Sequence, residues 1–581
     1  MSPPTPPMAW GSDAVAELLR RLDLEYVALN PGASYRGLHD SLVNYLGNQA
    51  PRILVALHEE HAVAIAHGYA KVAGRPMAAV VHSNVGLMHA TMAIFNAWCD
   101  RVPVLVLGAT GPVDAARRRP WIDWIHTAQD QGALVRHYTK WDAQPGSVPA
   151  ALEALLRAHL LARTAPAGPV YVCLDAALQE APLAEPVDVP DPARFQPGPP
   201  PAPAPDALRA AADLLAGARR ALILAGRVSR DPAAWASRVA LAETLGARVV
   251  TDLKVGAAFP TRHPLHAAAP AYFLGEAARA LARDADVVLS LDWVDLAGTL
   301  RLVWEAAPVT ATVIHCSVDA YVHNGWSMDH QGLPPVDLPI LAAPDVVVAA
   351  LLPLVREESR RRDVPGAPAP APSRASDARA IGLRDLAAGL RDATADRPTC
   401  LIRLPLGWPG DVCDFRGPLD YLGSDGGGGI GSGPGMAVGA ALALRGSGRL
   451  PVAILGDGDY LMGVTALWTA AHARIPLLVI VANNRSYYND EMHQERVARQ
   501  RGRPVENKGI GQRLDDPPAD LAALARAQGL GGEGPITEPG DLAKALGNAV
   551  AAVEAGQPYV LDVVVAPGYD APPALGAERR R

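Results

Sequence analysis

At 581 residues the chain is long enough for three or four domains of ordinary size, each burying its own core. About half of it is apolar (49%) and 19% is charged, the balance of a water-soluble globular protein. The formal net charge of −7 lacks the basic surplus of a nucleic-acid binder, so no nucleic-acid partner is expected. The five cysteines (Cys99, Cys173, Cys316, Cys400, Cys413) form no CxxC pair, which sets aside a disulfide framework and a cysteine zinc site and fits a reducing compartment. The first thirteen residues show no basic region followed by an apolar stretch. No run approaches the ~20 apolar residues that cross a bilayer. The expectation is a cytoplasmic protein with no membrane partner.

The first block offers strands at Tyr26–Leu29, Ile53–Leu57, Ala78–His82, Val104–Leu107 and Val170–Leu174, separated by alanine- and leucine-rich helical stretches. Three polar segments follow strands here. Asn30-Pro31-Gly32-Ala33-Ser34 follows the first. His58-Glu59-Glu60-His61 follows the second, at the start of a helix that continues through His67-Gly68-Tyr69-Ala70. His82-Ser83-Asn84-Val85-Gly86 follows the third. Acidic residues favour helix N-termini through the dipole, which accounts for Glu60. His58, His61 and His67 read as helix-surface or packing residues. His82, with an ordinary imidazole pKa near ~6.5, suits acid or base work at neutral pH.

A proline-rich stretch from about Pro182 to Pro205 ends the block, because proline lacks the amide donor and fixes φ. The second block offers strands at Ala221–Ala225, Arg248–Thr251, Val287–Leu291 and Thr312–Cys316. Asp292-Trp293-Val294-Asp295 ends one of them, either near a substrate entrance or as a packed loop. A second proline-rich stretch runs from about Asp363 to Ser376.

The third block opens with a glycine-rich run, Gly426 to Gly435, and has strands at Val452–Leu455, Leu477–Val481 and Tyr559–Val565. Gly456-Asp457-Gly458 directly follows one strand. Asn483-Asn484 directly follows the next, 24 residues later. Each half alone is an ordinary turn. Together they bring a hard carboxylate (Asp457) and a neutral amide oxygen (Asn484) to the same end of neighbouring strands, a donor set for Mg²⁺ held against two phosphate oxygens. Gly456 and Gly458 let the backbone approach an anion, and a helix starting near Leu461 can direct N–H groups at it. Tyr487 to His493 follows and is a candidate pocket lining. The glycine run contains a GxGxG string, and an NAD- or FAD-linked oxidoreductase using it is the reading from a different class, although no convincing strand leads into it. Continuous apolar strands alternating with helices predict parallel sheets covered on both faces: an α/β chain of three consecutive doubly wound domains, 1–181, 206–360 and 377–581. In such sheets ligands sit beyond the carboxyl ends of the strands.

With Gly456-Asp457-Gly458, Asn483-Asn484 and Glu59 nine residues before the glycine of Gly68-Tyr69-Ala70, the chain resembles the thiamine diphosphate (ThDP)-dependent family of acetohydroxyacid synthases, pyruvate decarboxylases and benzoylformate decarboxylases. The resemblance spans essentially the whole chain. It implies a pyrimidine-binding, a central and a diphosphate-binding domain in that order. It implies that Asp457, Asn484 and the backbone of Ser486 bind Mg²⁺, although the family often has glycine at the last position. Glu59 would hydrogen-bond the cofactor's N1′, a task suited to a desolvated carboxyl. Ile430 would wedge under the cofactor, and the Gly428 carbonyl would accept from its 4′-amino group, bringing that nitrogen close to the reactive carbon. His82 matches the benzoylformate decarboxylase histidine that transfers protons, where acetohydroxyacid synthases carry a hydroxyl residue. The family's substrate-binding serine aligns with Ala33, so that hydroxyl is missing or moved to Ser34, a departure that counts against benzoylformate itself. The implied reaction adds a C2 carbanion to a small-molecule 2-oxo acid, releases CO₂, and either protonates the enamine or passes it to a second carbonyl. That makes a decarboxylase or carboligase. The alternatives are an acetolactate synthase-like transferase, a C–C hydrolase or lyase, and a non-catalytic ThDP-binding paralogue. The family places each cofactor between two subunits, so a homodimer or homotetramer is implied.

Overall fold

The structure is a computed structural model, and it describes residues 7–321, 332–358 and 380–569. The second proline-rich stretch, with the boundaries expected at 360 and 377, lies outside the described residues. The strands in chain order are β1 (Tyr26–Leu29), β2 (Arg52–Val55), β3 (Met77–Val80), β4 (Val104–Thr110), β5 (Asp142–Ala143) and β6 (Val170–Asp175). Next come β7 (Ala221–Ala225), β8 (Arg248–Thr251), β9 (Val287–Leu291), β10 (Thr312–Ser317) and β11 (Leu338–Leu341). The last are β12 (Thr399–Arg403), β13 (Leu450–Gly456), β14 (Leu478–Asn483), β15 (Gly531–Ile536) and β16 (Tyr559–Val564). They form three sheets, ordered β2-β1-β3-β4-β6-β5, β11-β10-β9-β7-β8 and β12-β13-β14-β16-β15. Every neighbouring pair is parallel.

Alternation along the strands explains the double winding. Val27, Leu29, Ala78 and Val80 join one core with the helices Gly11–Arg21 and Val148–Arg163, while Ala28, Leu54, Ala79 and Val106 face the other side. That second core is continuous with the third sheet, because Ala453, Leu455, Val479 and Val481 belong to it too. The opposite face of the third sheet, with Val452, Ile454, Leu478 and Ile480, builds a separate core. Among the described residues, no helix is long and apolar enough to cross a membrane.

The shared core is sealed by two helices, Glu59–Ala73 and Gly433–Ala443, that touch through their backbones. A Cβ on Gly68 would lie 2.0 Å from the Met436 carbonyl oxygen, and one on Gly439 would lie 1.8 Å from that of Ile65. Neither carbonyl can move without moving its helix. Gly68→Ala is therefore expected to cost about 1–3 kcal/mol, as overpacking does, read as a lower denaturant midpoint. An unchanged midpoint would show that the helices do not cross so closely.

Four strands escaped the sequence reading: β5, β11, β12 and β15. Each lies at a sheet edge, and β11 and β15 contain proline. An edge strand is buried less and lacks the long apolar run that marks a central one. Other boundaries differ by at most three residues, the largest at β4, which runs on to Thr110. Gly456 and Asn483 still belong to their strands, and β3 ends at Val80, leaving His82 as the residue that precedes the helix Ser83–Cys99.

Candidate active site

β13 and β14 are parallel neighbours, so the residues that follow them emerge at one edge. Asp457 is 4% exposed, and its carboxylate accepts from the Gly458 N–H at 3.0 Å and the Ser486 N–H at 3.1 Å. Burial pushes its pKa up to about 6, while backbone N–H groups of Gly458, Ser486 and Arg485 pull the other way. A buried carboxylate driven toward neutrality is a seat for a cation. The two asparagines divide their work. Asn483 donates to Asp562 at 2.9 Å and accepts from the Arg485 N–H at 3.1 Å, which fixes the turn. Asn484 accepts from the Ser486 N–H at 3.0 Å, and its side chain lines the cleft. The Ser486 hydroxyl is turned to Glu491, at 2.6 Å, so only its backbone is left for a metal. Carboxylate, amide oxygen and carbonyl are the hard donors that suit Mg²⁺.

Gly428, Ile430, Gly456, Asp457, Gly458, Asn484 and Ser486 all line one cleft of about 470 Å³. Gly428 has φ +71°, a left-handed conformation natural to glycine, and its N–H donates to Asp425 at 3.1 Å. Gly458 must stay small because a Cβ there would lie 2.5 Å from the Tyr487 ring. Tyr487, Tyr488, Asn489 and Asp490 also line the cleft. The helix expected near Leu461 begins at Asp457 itself and runs seven residues, with Gly456 as its N-cap. The acidic first turn of Asp457 and Asp459 favours that earlier start.

Glu59 and His82 do not line this cleft within the same chain. Glu59 is 6% exposed and opens the helix Glu59–Ala73. Its Oε2 lies 3.1 Å from Nδ1 of His89, and a Cβ on Gly86 would lie 2.6 Å from its Oε1. His82 lies over Gly32, whose absent Cβ would sit 2.4 Å from its ring. Ser34 Oγ lies 2.9 Å from His82 Nδ1 and accepts from the Ser83 N–H at 3.2 Å. The serine hydroxyl can still donate, and in the tautomer where it donates to Nδ1 the neutral ring carries its proton on Nε2. Burial lowers the pKa of His82, and so does His126, whose ring stands edge-on at 4.7 Å, while Glu59 acts in the opposite sense. Ser34→Ala removes one hydrogen bond, worth about 1 kcal/mol. If His82 moves protons, turnover should fall about fivefold with binding unchanged. Unaltered turnover would separate Ser34 from the chemistry.

The chain matches three family models in sequence: the N-terminal thiamine pyrophosphate binding domain over residues 9–135, the central domain over 208–351, and the C-terminal thiamine pyrophosphate binding domain over 406–563. This chain belongs to the thiamine pyrophosphate enzyme family. It is 28% identical to a probable 2-ketoarginine decarboxylase of Pseudomonas aeruginosa, over 91% of this chain and 89% of that one. It is 26% identical to a benzoylformate decarboxylase of the same organism, over 81% and 85%. An Escherichia coli acetolactate synthase isozyme 1 large subunit is 25% identical, over 82% and 81%. The fold is that of benzoylformate decarboxylase from Polynucleobacter necessarius, with a TM-score of 0.79 over 97% and 100% of the two chains at 20% identity.

Other polar groups of this thiamine pyrophosphate enzyme serve packing. His61 is buried with Nε2 2.8 Å from Thr465 Oγ1. His67 is fully buried and, with Lys71, meets Asp100, at 2.8 and 2.5 Å. His58 caps its helix by accepting from the Glu60 N–H at 3.2 Å, and Glu60 accepts from Ser432 Oγ at 3.1 Å. Trp293 is 2% exposed inside the central-domain core, Asp292 pairs with Arg101 at 3.0 Å, and Asp295 caps the next helix. That segment is therefore a packed loop. The sequence reading missed Asp459, which accepts from the N–H groups of Gly431 (2.7 Å) and Gly433 (3.2 Å) and pairs with buried Arg403 at 2.9 Å. Arg403 also pairs with Asp425, so one guanidinium ties both ends of the glycine run. The second aspartate of Gly456-Asp457-Gly458-Asp459 was the available signal. His89 and His126 were missed as well, and they carried no motif.

Proposed function

We propose that this chain is a ThDP- and Mg²⁺-dependent decarboxylase or carboligase of a 2-oxo acid. The observation that carries the reading is the convergence of Asp457, Asn484, Ser486, Gly428 and Ile430 on one cleft from loops after separate strands. Asp457 and Asn484 would hold the metal through side-chain oxygens and Ser486 through its backbone. The bound cofactor supplies an electron sink for the pair left when CO₂ departs. Ile430 and the tyrosines keep apolar surface against the site and exclude water. His82, its Nδ1 held by Ser34, presents Nε2 as the atom that gives or takes a proton.

The reading requires two copies. In one chain Glu59 lies apart from the cleft, so Glu59 of the partner subunit completes it. Large apolar side chains stand exposed beside both halves: Leu57 (45%) and Met88 (54%) by Glu59, and Ile430 (38%) and Met462 (56%) by the glycine run. A subunit interface laid over both halves would cover this surface. A homodimer is the smallest assembly that covers it, and a tetramer satisfies the same need.

The relatives in both branches support a second product class, in which the acceptor is another carbonyl rather than a proton. The test is a panel of aliphatic, phenyl and guanidino 2-oxo acids with ThDP and Mg²⁺, read by mass spectrometry for aldehydes and ligated products. An aldehyde supports decarboxylation and an acetolactate-type product supports transfer. No CO₂ and no carbon–carbon cleavage from any member would overturn the proposal.

A further inference from the structure

We propose that His89 is a positioning residue for Glu59, donating Nδ1–H to one carboxylate oxygen so that the other is presented in a fixed direction. This rests on the reading of Glu59 as the group that meets the cofactor.

Glu59 is buried, while the His89 side chain is 57% exposed, and their 3.1 Å contact is direct. An ionised carboxylate only accepts, so His89 Nδ1 carries the hydrogen. The terminal torsion of glutamate is broad and close to two-fold, and packing alone fixes it poorly. Here both oxygens have an address: Oε2 on His89 and Oε1 against Gly86. Gly86 and His89 lie three residues apart on the helix Ser83–Cys99, so one helix face clamps the carboxylate from two sides.

His89 is itself oriented. Its ring stacks on His58, with centroids 4.7 Å apart and planes 20° apart. His58 is pinned by its capping bond, in which Nδ1 accepts from Glu60. That bond makes His58 neutral with its hydrogen on Nε2, and burial, then the neighbouring His89, lowers its pKa in keeping. A neutral ring under His89 leaves Glu59 as the charged neighbour it addresses.

His58, Glu59 and His89 also have ligand atoms within 4.8 Å of one another, the donor set of a two-histidine, one-carboxylate metal site. That alternative is weaker. His58 Nδ1 is committed to the helix cap and Nε2 carries hydrogen, so chelation would have to break the cap.

The test uses the full-length protein freed of cofactor and three variants: His89→Phe, which keeps a ring on His58 but no donor; His89→Asn, which keeps an N–H donor; and Glu59→Gln. ThDP binding in the presence of Mg²⁺ is followed by tryptophan fluorescence. Hydrogen–deuterium exchange at the cofactor's C2 is followed by quenched-flow NMR. His89→Phe is expected to bind ThDP within about threefold of the parent and to slow exchange about 10²-fold, the cost of a misplaced group. His89→Asn is expected to stay within about threefold in both. Exchange at the parent rate in His89→Phe, or equal slowing in His89→Asn, overturns the proposal. So does a visible d–d band that one equivalent of Co²⁺ gives in the cofactor-free parent and that His89→Phe abolishes, since that would make the cluster a chelate. Glu59→Gln separates the two levels: normal exchange in that variant removes Glu59, and His89 with it. Slow exchange there alongside a normal His89→Phe removes His89 alone.

Discussion

Glu59→Gln is expected to lower turnover by about 10²–10⁴-fold, the range for a lost acid–base group, with an unchanged or higher melting temperature. The change is nearly isosteric, and the residue is 6% exposed, where a neutral amide costs less to bury than a carboxylate. His89 loses an ionised acceptor but keeps the amide oxygen as a weaker one. What the amide cannot do is take up and release a proton. The decisive readout is single-turnover rate alongside ThDP affinity: affinity within an order of magnitude and a collapsed rate are the predicted pair. A rate within tenfold of the parent would take Glu59 out of the chemistry and remove the case for completing each cleft from a second copy.

The parts of the site that could be read from the sequence are those encoded locally. Asp457 and Asn484 are legible because each follows a central apolar strand directly and two such strands are neighbours. Glu59 is singled out only by its spacing to Gly68, and the structure supplies a physical reason for that glycine, the backbone contact with Met436. The central strands were legible for the same reason: β7, β8 and β9 coincide with the apolar runs. The edge strands were not, since they carry proline, glycine or half-exposed polar positions. Tertiary pairings stayed hidden. His89 lies 30 residues from Glu59, Ser34 lies 48 from His82, and Ser432 lies 372 from Glu60, and nothing in a linear motif announces such partners. The helix after Gly456 was misplaced for a related reason. Its first turn is Asp-Gly-Asp, poor helix-forming residues on intrinsic propensity, held there by the hydrogen bonds of Asp457 and Asp459 to surrounding backbone.

Asp457→Asn is expected to show that the same residue weakens the empty protein and is needed by the loaded one. The folded pKa of Asp457 is about 6, against 3.8 for the free side chain. An acid whose folded value is raised contributes stability that is fully present below the unfolded value and is lost as pH rises through the folded one. Between pH 4 and pH 8 the cofactor-free parent should therefore lose, through this group, about 2.4 kcal/mol at 1.36 kcal/mol per unit, since the loss has already begun at pH 4. Asparagine does not titrate. The stability difference between variant and parent should shift by that amount in the variant's favour over the same interval, whatever the constant cost of its amide against the Ser486 N–H. Denaturant unfolding of both proteins across the interval measures it, and a difference that stays flat with pH would mean that Asp457 is ionised as easily in the fold as in water. Adding Mg²⁺ and ThDP should then reverse the order. At about 100 times its dissociation constant, a ligand that binds only the folded state stabilises by about 2.7 kcal/mol, a gain open to the parent and closed to a variant without the metal carboxylate. A site that costs stability when empty and returns it when filled is what a buried acid with backbone donors on one side and an open cleft on the other should be.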